Sequence, residues 1–121
     1  MRWSPDLRTH CTGLAVVLMA IYGQSLSFPF QFDDGHSIVQ NPHVRSLANV
    51  PSFFLDASMF SVDASLRMYR PLVLTSYAFN YAVSGQDPWS YHLANMVLHF
   101  LTSVAVGVLA RMLLGSASLA W

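Results

Sequence analysis

The chain has 121 residues, of which 54% are hydrophobic and only 10% are charged, against roughly 25% charged residues in an average soluble domain. This composition argues against an ordinary soluble domain, and the length allows one domain at most. Six arginines balance six aspartates, with no lysine or glutamate, so no basic surface is available for nucleic acid. Intrinsic disorder is excluded because aliphatic and aromatic side chains are abundant. The apolar residues must be buried in a core or in lipid.

An uncharged stretch follows Arg8 and continues to Asp33. Because about 20 apolar residues cross the hydrocarbon of a bilayer, this stretch predicts a first membrane span over residues 12–30. A cleaved signal peptide is the alternative interpretation, since Arg2 and Arg8 form a basic start and residues 25–27 form a small-x-small pair. The single cysteine, Cys11, leaves no intrachain disulfide.

A second uncharged stretch, from Pro88 to Ala110, predicts a span over residues 90–113. Its polar residues recur mostly every three or four positions and so share one helical face, here called the polar stripe: His92, Asn95, His99, Thr102 and Ser103. Polar side chains turned toward acyl chains are costly, so we expect the stripe to face other helices or a water-filled cavity. Its histidines can carry protons, although a histidine bonded to a neighbouring helix is the commoner case.

The intervening loop, residues 31–88, carries five aspartates against three arginines, whereas each end of the chain has a net charge of +1. By the positive-inside tendency, this distribution predicts an extracytoplasmic loop with both termini in the cytoplasm.

Turn and capping residues divide the loop into short helices. Asn41-Pro42 predicts a turn, and Asn49 predicts a capped short helix with proline in its first turn. Pro71 opens a longer helix that Ser84-Gly85 closes. The uncharged residues 71–86 are few for a span, so we expect a helix at the membrane interface, with a third span as the open alternative.

Two adjacent carboxylates, Asp33 and Asp34, directly follow the first predicted span. A carboxylate at a membrane boundary is suited to take a proton from a hydroxyl. A solvated turn is the plainer interpretation, since Asp-Asp-Gly is common in loops. The third interpretation is a divalent-metal site of Asp33, Asp34 and His36, which would need further ligands from elsewhere.

Arg70 stands between Tyr69 and the helix-starting Pro71. Its guanidinium fork matches phosphate oxygens and stays charged at any relevant pH, so a lipid phosphate is a natural partner. The plainer alternative is an interfacial anchor that reaches toward the headgroups.

Four short motifs follow one another along the chain: Phe32-Asp33-Asp34-x-x-x-Ile38-x-x-Asn41-Pro42-x-Val44, Tyr69-Arg70-Pro71-Leu72, Ser76-Tyr77 and Tyr91-His92-Leu93-x-Asn95-x-x-x-His99. Together they resemble the amino-terminal region of GT-C membrane glycosyltransferases. Among these they are most similar to the transmembrane and tetratricopeptide-repeat-containing O-mannosyltransferase-like proteins, including bacterial members. The resemblance extends from about Ala15 to Gly115.

This resemblance implies a multi-pass enzyme, in a bacterial inner membrane, that transfers a sugar from a polyprenyl-phosphate donor to a protein or glycan hydroxyl with inversion. It implies that the first periplasmic or luminal loop carries the catalytic acids, matched here by Asp33 and Asp34. In an inverting transfer, a base deprotonates the acceptor as the leaving group departs from the opposite face. We assign the base to Asp33 or Asp34 and the stabilisation of the donor phosphate to Arg70. A divalent metal ion is left open as a cofactor.

The predicted fold is an all-α membrane protein, with two transmembrane helices joined by an extracytoplasmic loop that bears short amphipathic helices. Members of the superfamily have many more spans, so we expect an amino-terminal piece that is inactive alone. The alternative function is a non-enzymatic hairpin that assembles with other membrane proteins through an intramembrane site of His92, Asn95 and His99. A secreted helical domain after signal cleavage is the third hypothesis.

Overall fold

The computed structural model describes residues 5–114, with side chains over residues 8–113. Every regular element in that range is helical. The described residues form two compact units. Residues 5–25 and 93–114 make up the first, called the helix unit, and residues 26–92 make up the second, called the loop unit.

The first helix, α1, comprises Pro5–Tyr22 and is followed by a 3-10 helix over Gly23–Ser27. It begins and ends earlier than the span predicted over residues 12–30. The Ser25 hydroxyl donates to the carbonyl oxygen of Tyr22 at 2.6 Å, which satisfies one of the carbonyls that a helix end leaves unpaired. The small polar residues at the end of the predicted span therefore turn the chain instead of extending the α-helix.

The Asn49 prediction is confirmed in its helix and wrong in its capping. Helix α2 comprises Val50–Phe53, with proline in its first turn. The Asn49 side chain makes no capping hydrogen bond. Its Nδ2 instead donates to the carbonyl oxygen of His43 at 2.8 Å, because a short polar side chain can bond backbone groups outside the helix as readily as within it.

Short helical turns make up most of the remaining loop unit: a π-helix over Gly35–Val39 and 3-10 helices over His43–Arg45, Leu47–Asn49, Ala57–Phe60 and Ala64–Leu66. Two of them have aspartate caps. Asp56 accepts from the backbone N–H of Ser58 at 2.8 Å, and Asp63 accepts from that of Ser65 at 2.9 Å. Hydrogen bonds from these serines hold the pKa of both aspartates below its ordinary value.

Helix α3 comprises Pro71–Ser84, which confirms both predicted ends. Proline occupies its first turn, and Gly85 follows its last residue with a φ of 62°. That left-handed conformation favours glycine, which lacks the Cβ that would clash there. The Gly85 N–H donates to the carbonyl oxygen of Tyr81 at 2.8 Å and closes the helix.

Helix α4 comprises Trp89–Leu114. Its Trp89–Leu113 stretch is the one helix within residues 5–114 that is long and apolar enough to cross a membrane, and only 6% of its apolar window is buried. Those 25 residues extend about 37 Å at 1.5 Å per residue, against about 30 Å of hydrocarbon. This helix coincides with the second predicted span, whereas the first span and a third span remain predictions.

The core of the loop unit contains Val44, Phe53, Phe60, Leu74 and Ala78, all nearly inaccessible to solvent. Burial of this apolar surface is its main source of stability.

The buried side-chain amide of Asn41 connects two segments of the loop unit. Asn41 is fully buried, and its Nδ2 donates to the carbonyl oxygens of Met59 at 2.9 Å and Phe60 at 3.1 Å. Its Oδ1 accepts from the backbone N–H of His43 at 3.0 Å. The predicted Asn41-Pro42 turn is therefore also a bridge to a segment far along the chain.

Asn41→Ala should lower the free energy of unfolding by about 3 kcal/mol, because three backbone groups lose their partner and buried unpaired groups are costly. Asn49→Ala, which removes one hydrogen bond from a half-buried residue, should cost about 1 kcal/mol. Denaturant titration of the purified protein in detergent micelles measures both. Equal losses would contradict the bridging role.

Candidate functional site

The two predicted catalytic carboxylates lie on one tight turn but have different surroundings. Asp34 is half-buried, and its Oδ2 accepts from the backbone N–H of Gln31 at 3.0 Å. The Asp33 side chain is 90% exposed. Phe32 enters the turn with a φ of 46°, a left-handed conformation that is unfavourable for a residue with a Cβ. The turn therefore fixes the Asp34 carboxylate and presents that of Asp33.

The imidazole of His36 lies close to the carboxylate of Asp33. Its Nε2 lies 3.8 Å from Asp33 Oδ1, and its side chain is 14% exposed. Its Nδ1 is buried without a hydrogen-bond partner. The imidazole is thus held by packing and turns one nitrogen toward the exposed carboxylate.

One aromatic ring connects this turn to Arg70. The ring of buried Phe60 lies 6.4 Å from that of His36, centroid to centroid, and the Arg70 guanidinium carbon lies 5.8 Å from its centre. A cation over an aromatic face is attracted by the ring quadrupole. Arg70 is exposed, so its fork remains accessible to a phosphate. Phe60 therefore positions both the acidic turn and the arginine.

The charges of all three predicted site residues, Asp33, Asp34 and Arg70, act on the pKa of the Tyr77 phenol. Burial raises its pKa above the ordinary value, and the negative charge of Asp34 raises it further. A hydrogen bond with Ser37 and the positive charge of Arg70 lower it, and Asp33 adds a smaller increase. The structure therefore brings Asp33, Asp34 and Arg70 within electrostatic reach of one side chain. We call Asp33, Asp34, His36, Arg70 and Tyr77 the acidic site.

Two supporting residues were not predicted from the sequence. Phe60 belongs to no motif, and nothing in its neighbours indicates that its ring lies under a histidine and an arginine. Tyr77 stands in the Ser76-Tyr77 motif, and its position seven residues after Arg70, two helical turns, is the signal that places both on one face of α3.

The metal hypothesis gains no support. Over the described residues there is no group of three or more histidine, cysteine, aspartate or glutamate side chains arranged to hold a metal ion. Asp33, Asp34 and His36 follow one another closely along the chain, but the Asp34 carboxylate bonds back to Gln31 while that of Asp33 points to solvent. We derive no chemistry from a metal.

The residues of the polar stripe have different partners. His92 Nε2 lies 3.0 Å from the carbonyl oxygen of Phe28 in the loop unit. In the helix unit, His99 meets Tyr22 edge to face at 6.0 Å between ring centroids. Thr102 and Ser103 donate to carbonyls of their own helix at 2.8 Å, and Asn95 is exposed. A shared role for His92, Asn95 and His99 stays a prediction.

The chain is similar to several curated proteins of known name. The chain is 33% identical to human protein O-mannosyl-transferase TMTC2 over 102 residues, which are 80% of this chain and 12% of that protein. It is 34% identical to human protein O-mannosyl-transferase TMTC3 over 73% of the chain and 10% of the relative. It is 35% identical to Drosophila melanogaster protein O-mannosyl-transferase Tmtc1 over 88% of the chain and 12% of the relative. No family model and no solved structure matches.

The described residues form a helical protein with one helix that is apolar and long enough to cross a membrane, and the relatives define its family. The chain belongs to the TMTC-like family. It spans about an eighth of the length of these relatives.

Replacing Asp34 with Asn should lower the pKa of the Tyr77 phenol, because a negative charge near it is removed. Asp33→Asn should lower it less, and Arg70→Gln should raise it. The phenol then stays protonated to a higher pH in the arginine variant and to a lower pH in the aspartate variants. Alkaline titration of phenolate absorbance, with Tyr77→Phe subtracted, measures each change. Identical titrations in all three variants would show that the charges of Asp33, Asp34 and Arg70 do not act on the Tyr77 phenol.

Proposed function

We propose that this chain supplies the catalytic base and the donor-phosphate contact of an integral-membrane glycosyltransferase. The reaction is transfer of a mannosyl residue from a polyprenyl-phosphate donor to a hydroxyl of a protein acceptor. The observation that favours this proposal most is that the ring of Phe60 lies against both His36 and Arg70, next to the exposed carboxylate of Asp33. The relatives' names, protein O-mannosyl-transferase, supply the reaction class.

Asp33 is the better candidate for the base. A base needs a carboxylate lone pair directed at the acceptor hydroxyl within hydrogen-bond reach. The Asp33 carboxylate is 90% exposed, so an acceptor can approach it. The Asp34 carboxylate already accepts a backbone N–H and is half-buried. Asp34 then fixes the turn, and Asp33 takes the proton as the hydroxyl attacks the anomeric carbon.

Arg70 is the candidate for stabilising the phosphate leaving group. As the glycosidic bond to phosphate breaks, negative charge grows on the phosphate oxygens, and a guanidinium stabilises that charge through two parallel hydrogen bonds. Its contact with the face of Phe60 leaves the N–H groups at the guanidinium edge available. The base and the phosphate contact are therefore a carboxylate and a guanidinium carried by different segments of the loop unit.

A two-span arrangement is part of this proposal. Helix α4 crosses the membrane, α1 with the residues after it makes the first span, and residues 31–88 lie outside, in the periplasm of a bacterial cell or an equivalent lumen. The contact of Tyr22 with His99 pairs α1 with α4 in the helix unit. The charge distribution favours this orientation. A non-enzymatic hairpin is not favoured, because the relatives are named as transferases.

Asp33→Asn should reduce sugar transfer by about 10²–10⁴-fold, since the amide keeps the shape but loses the basicity. Asp34→Asn should reduce it less, because the amide oxygen can still accept the Gln31 N–H. Arg70→Lys should weaken both donor affinity and turnover, because lysine keeps the charge but loses the fork. The assay is mannose transfer from a polyprenyl-phosphate donor in membranes that contain the full-length protein, with variants matched for expression.

Asp56→Asn is the matched control for this series. Asp56 is an exposed carboxylate of the same loop unit that caps a 3-10 turn, and its replacement should leave transfer near normal. Near-normal transfer by Asp33→Asn, Asp34→Asn and the double variant would show that neither carboxylate is the base.

A cysteine at Ala64, in a Cys11→Ser background, should react with an impermeant thiol reagent in intact cells. Ala64 is exposed in the loop unit, and the background removes the native thiol. A cysteine at Arg8, exposed on α1, should react only after lysis. The reverse labelling pattern would invert the proposed topology.

A further inference from the structure

A cavity of about 350 Å³ opens between α1 and the last turns of α4, within the helix unit. This volume falls in the roughly 300–1,000 Å³ range of small-molecule sites. Residues of both helices line it: His10 and Leu14 on α1, and Val104, Gly107, Val108 and Arg111 on α4. None of them belongs to the acidic site.

The lining is amphipathic in a particular way. Its cationic or proton-binding groups are Arg111 and His10, and most of the remaining wall is aliphatic. Gly107 contributes no side chain, which leaves room between the helices. No aspartate is among the described residues of the lining. This combination suits a ligand with an anionic head and a hydrocarbon tail, because a guanidinium fork pairs with phosphate oxygens while aliphatic walls accept the tail.

The position of Arg111 on α4 determines the level of the cavity in a bilayer. At 1.5 Å per residue, Arg111 lies about 33 Å along the helix axis from Trp89, close to the roughly 30 Å thickness of the hydrocarbon. When α4 crosses a bilayer with Trp89 at one interface, Arg111 reaches the headgroups at the other. The basic end of the cavity then lies at headgroup level, and its aliphatic walls extend toward the acyl chains.

We propose that this cavity binds an anionic phospholipid, with its phosphate on Arg111 and the upper part of an acyl chain between α1 and α4. Basic pockets between membrane-spanning helices are recurrent sites for anionic lipids. Charge complementarity supports a lipid over a further protein helix, because an apolar helix would leave the arginine at the cavity without an anion. The site is additional to the proposed transferase activity.

The test measures lipid retention by native mass spectrometry on the full-length protein, purified in a neutral detergent with equal amounts of phosphatidylglycerol and phosphatidylcholine. The wild-type protein should retain phosphatidylglycerol preferentially. Arg111→Gln should weaken that retention about tenfold, the size expected for one charge-assisted contact. Val104→Phe should weaken it by filling the aliphatic wall, with the charge left in place.

Two matched controls separate this site from general effects. Arg8→Gln removes a positive charge from an exposed α1 residue outside the lining, and Val106→Phe adds the same ring at an exposed α4 position outside it. Both should retain the lipid like the wild type. Equal losses in a variant and its control, or equal retention of the two lipids, would overturn the proposal. Displacement by millimolar inorganic phosphate would assign a free-phosphate site and overturn the lipid.

Discussion

The hydrogen bonds of the Asn41 amide are the constraint on which the loop unit depends. A fully buried amide is stable only when its donors and acceptor are paired, and here the partners are backbone groups in two separate segments. Hydrophobic burial alone is not directional and would allow those segments to slide. The amide fixes their register, so the core residues Val44 and Phe60 pack in one arrangement.

The same constraint reaches the chemistry through Phe60. Its carbonyl oxygen accepts a hydrogen bond from Asn41. Its ring lies near the imidazole of His36, which neighbours the proposed base, and near the guanidinium of Arg70, the proposed phosphate contact. A displacement of this backbone would therefore move the neighbour of the proposed base and the proposed phosphate contact together. Residues that never touch a substrate can in this way govern the geometry of those that do.

The sequence predicted best where local chemistry decides the structure. Both ends of α3 follow from Pro71 and Gly85, whose backbone preferences act within a few residues. Tertiary partners decide the rest. Nothing near Asn41 in the chain announces Met59 and Phe60 as partners, and Asn49 bonds the carbonyl of His43 instead of its own helix. The acidic motif was visible as adjacent carboxylates, but their different exposure depends on how the turn folds.

The left-handed backbone at Phe32 has a consequence for how sharply the acidic turn is defined. A residue with a Cβ in this region stores strain of roughly 1–3 kcal/mol, which the surrounding hydrogen bonds must hold. Glycine at this position would release the strain and also give the turn more conformations to sample. Because Phe32 is 95% exposed, burial of its side chain does not compensate for the strain. The turn therefore gives up local stability to hold one backbone geometry around Asp33 and Asp34.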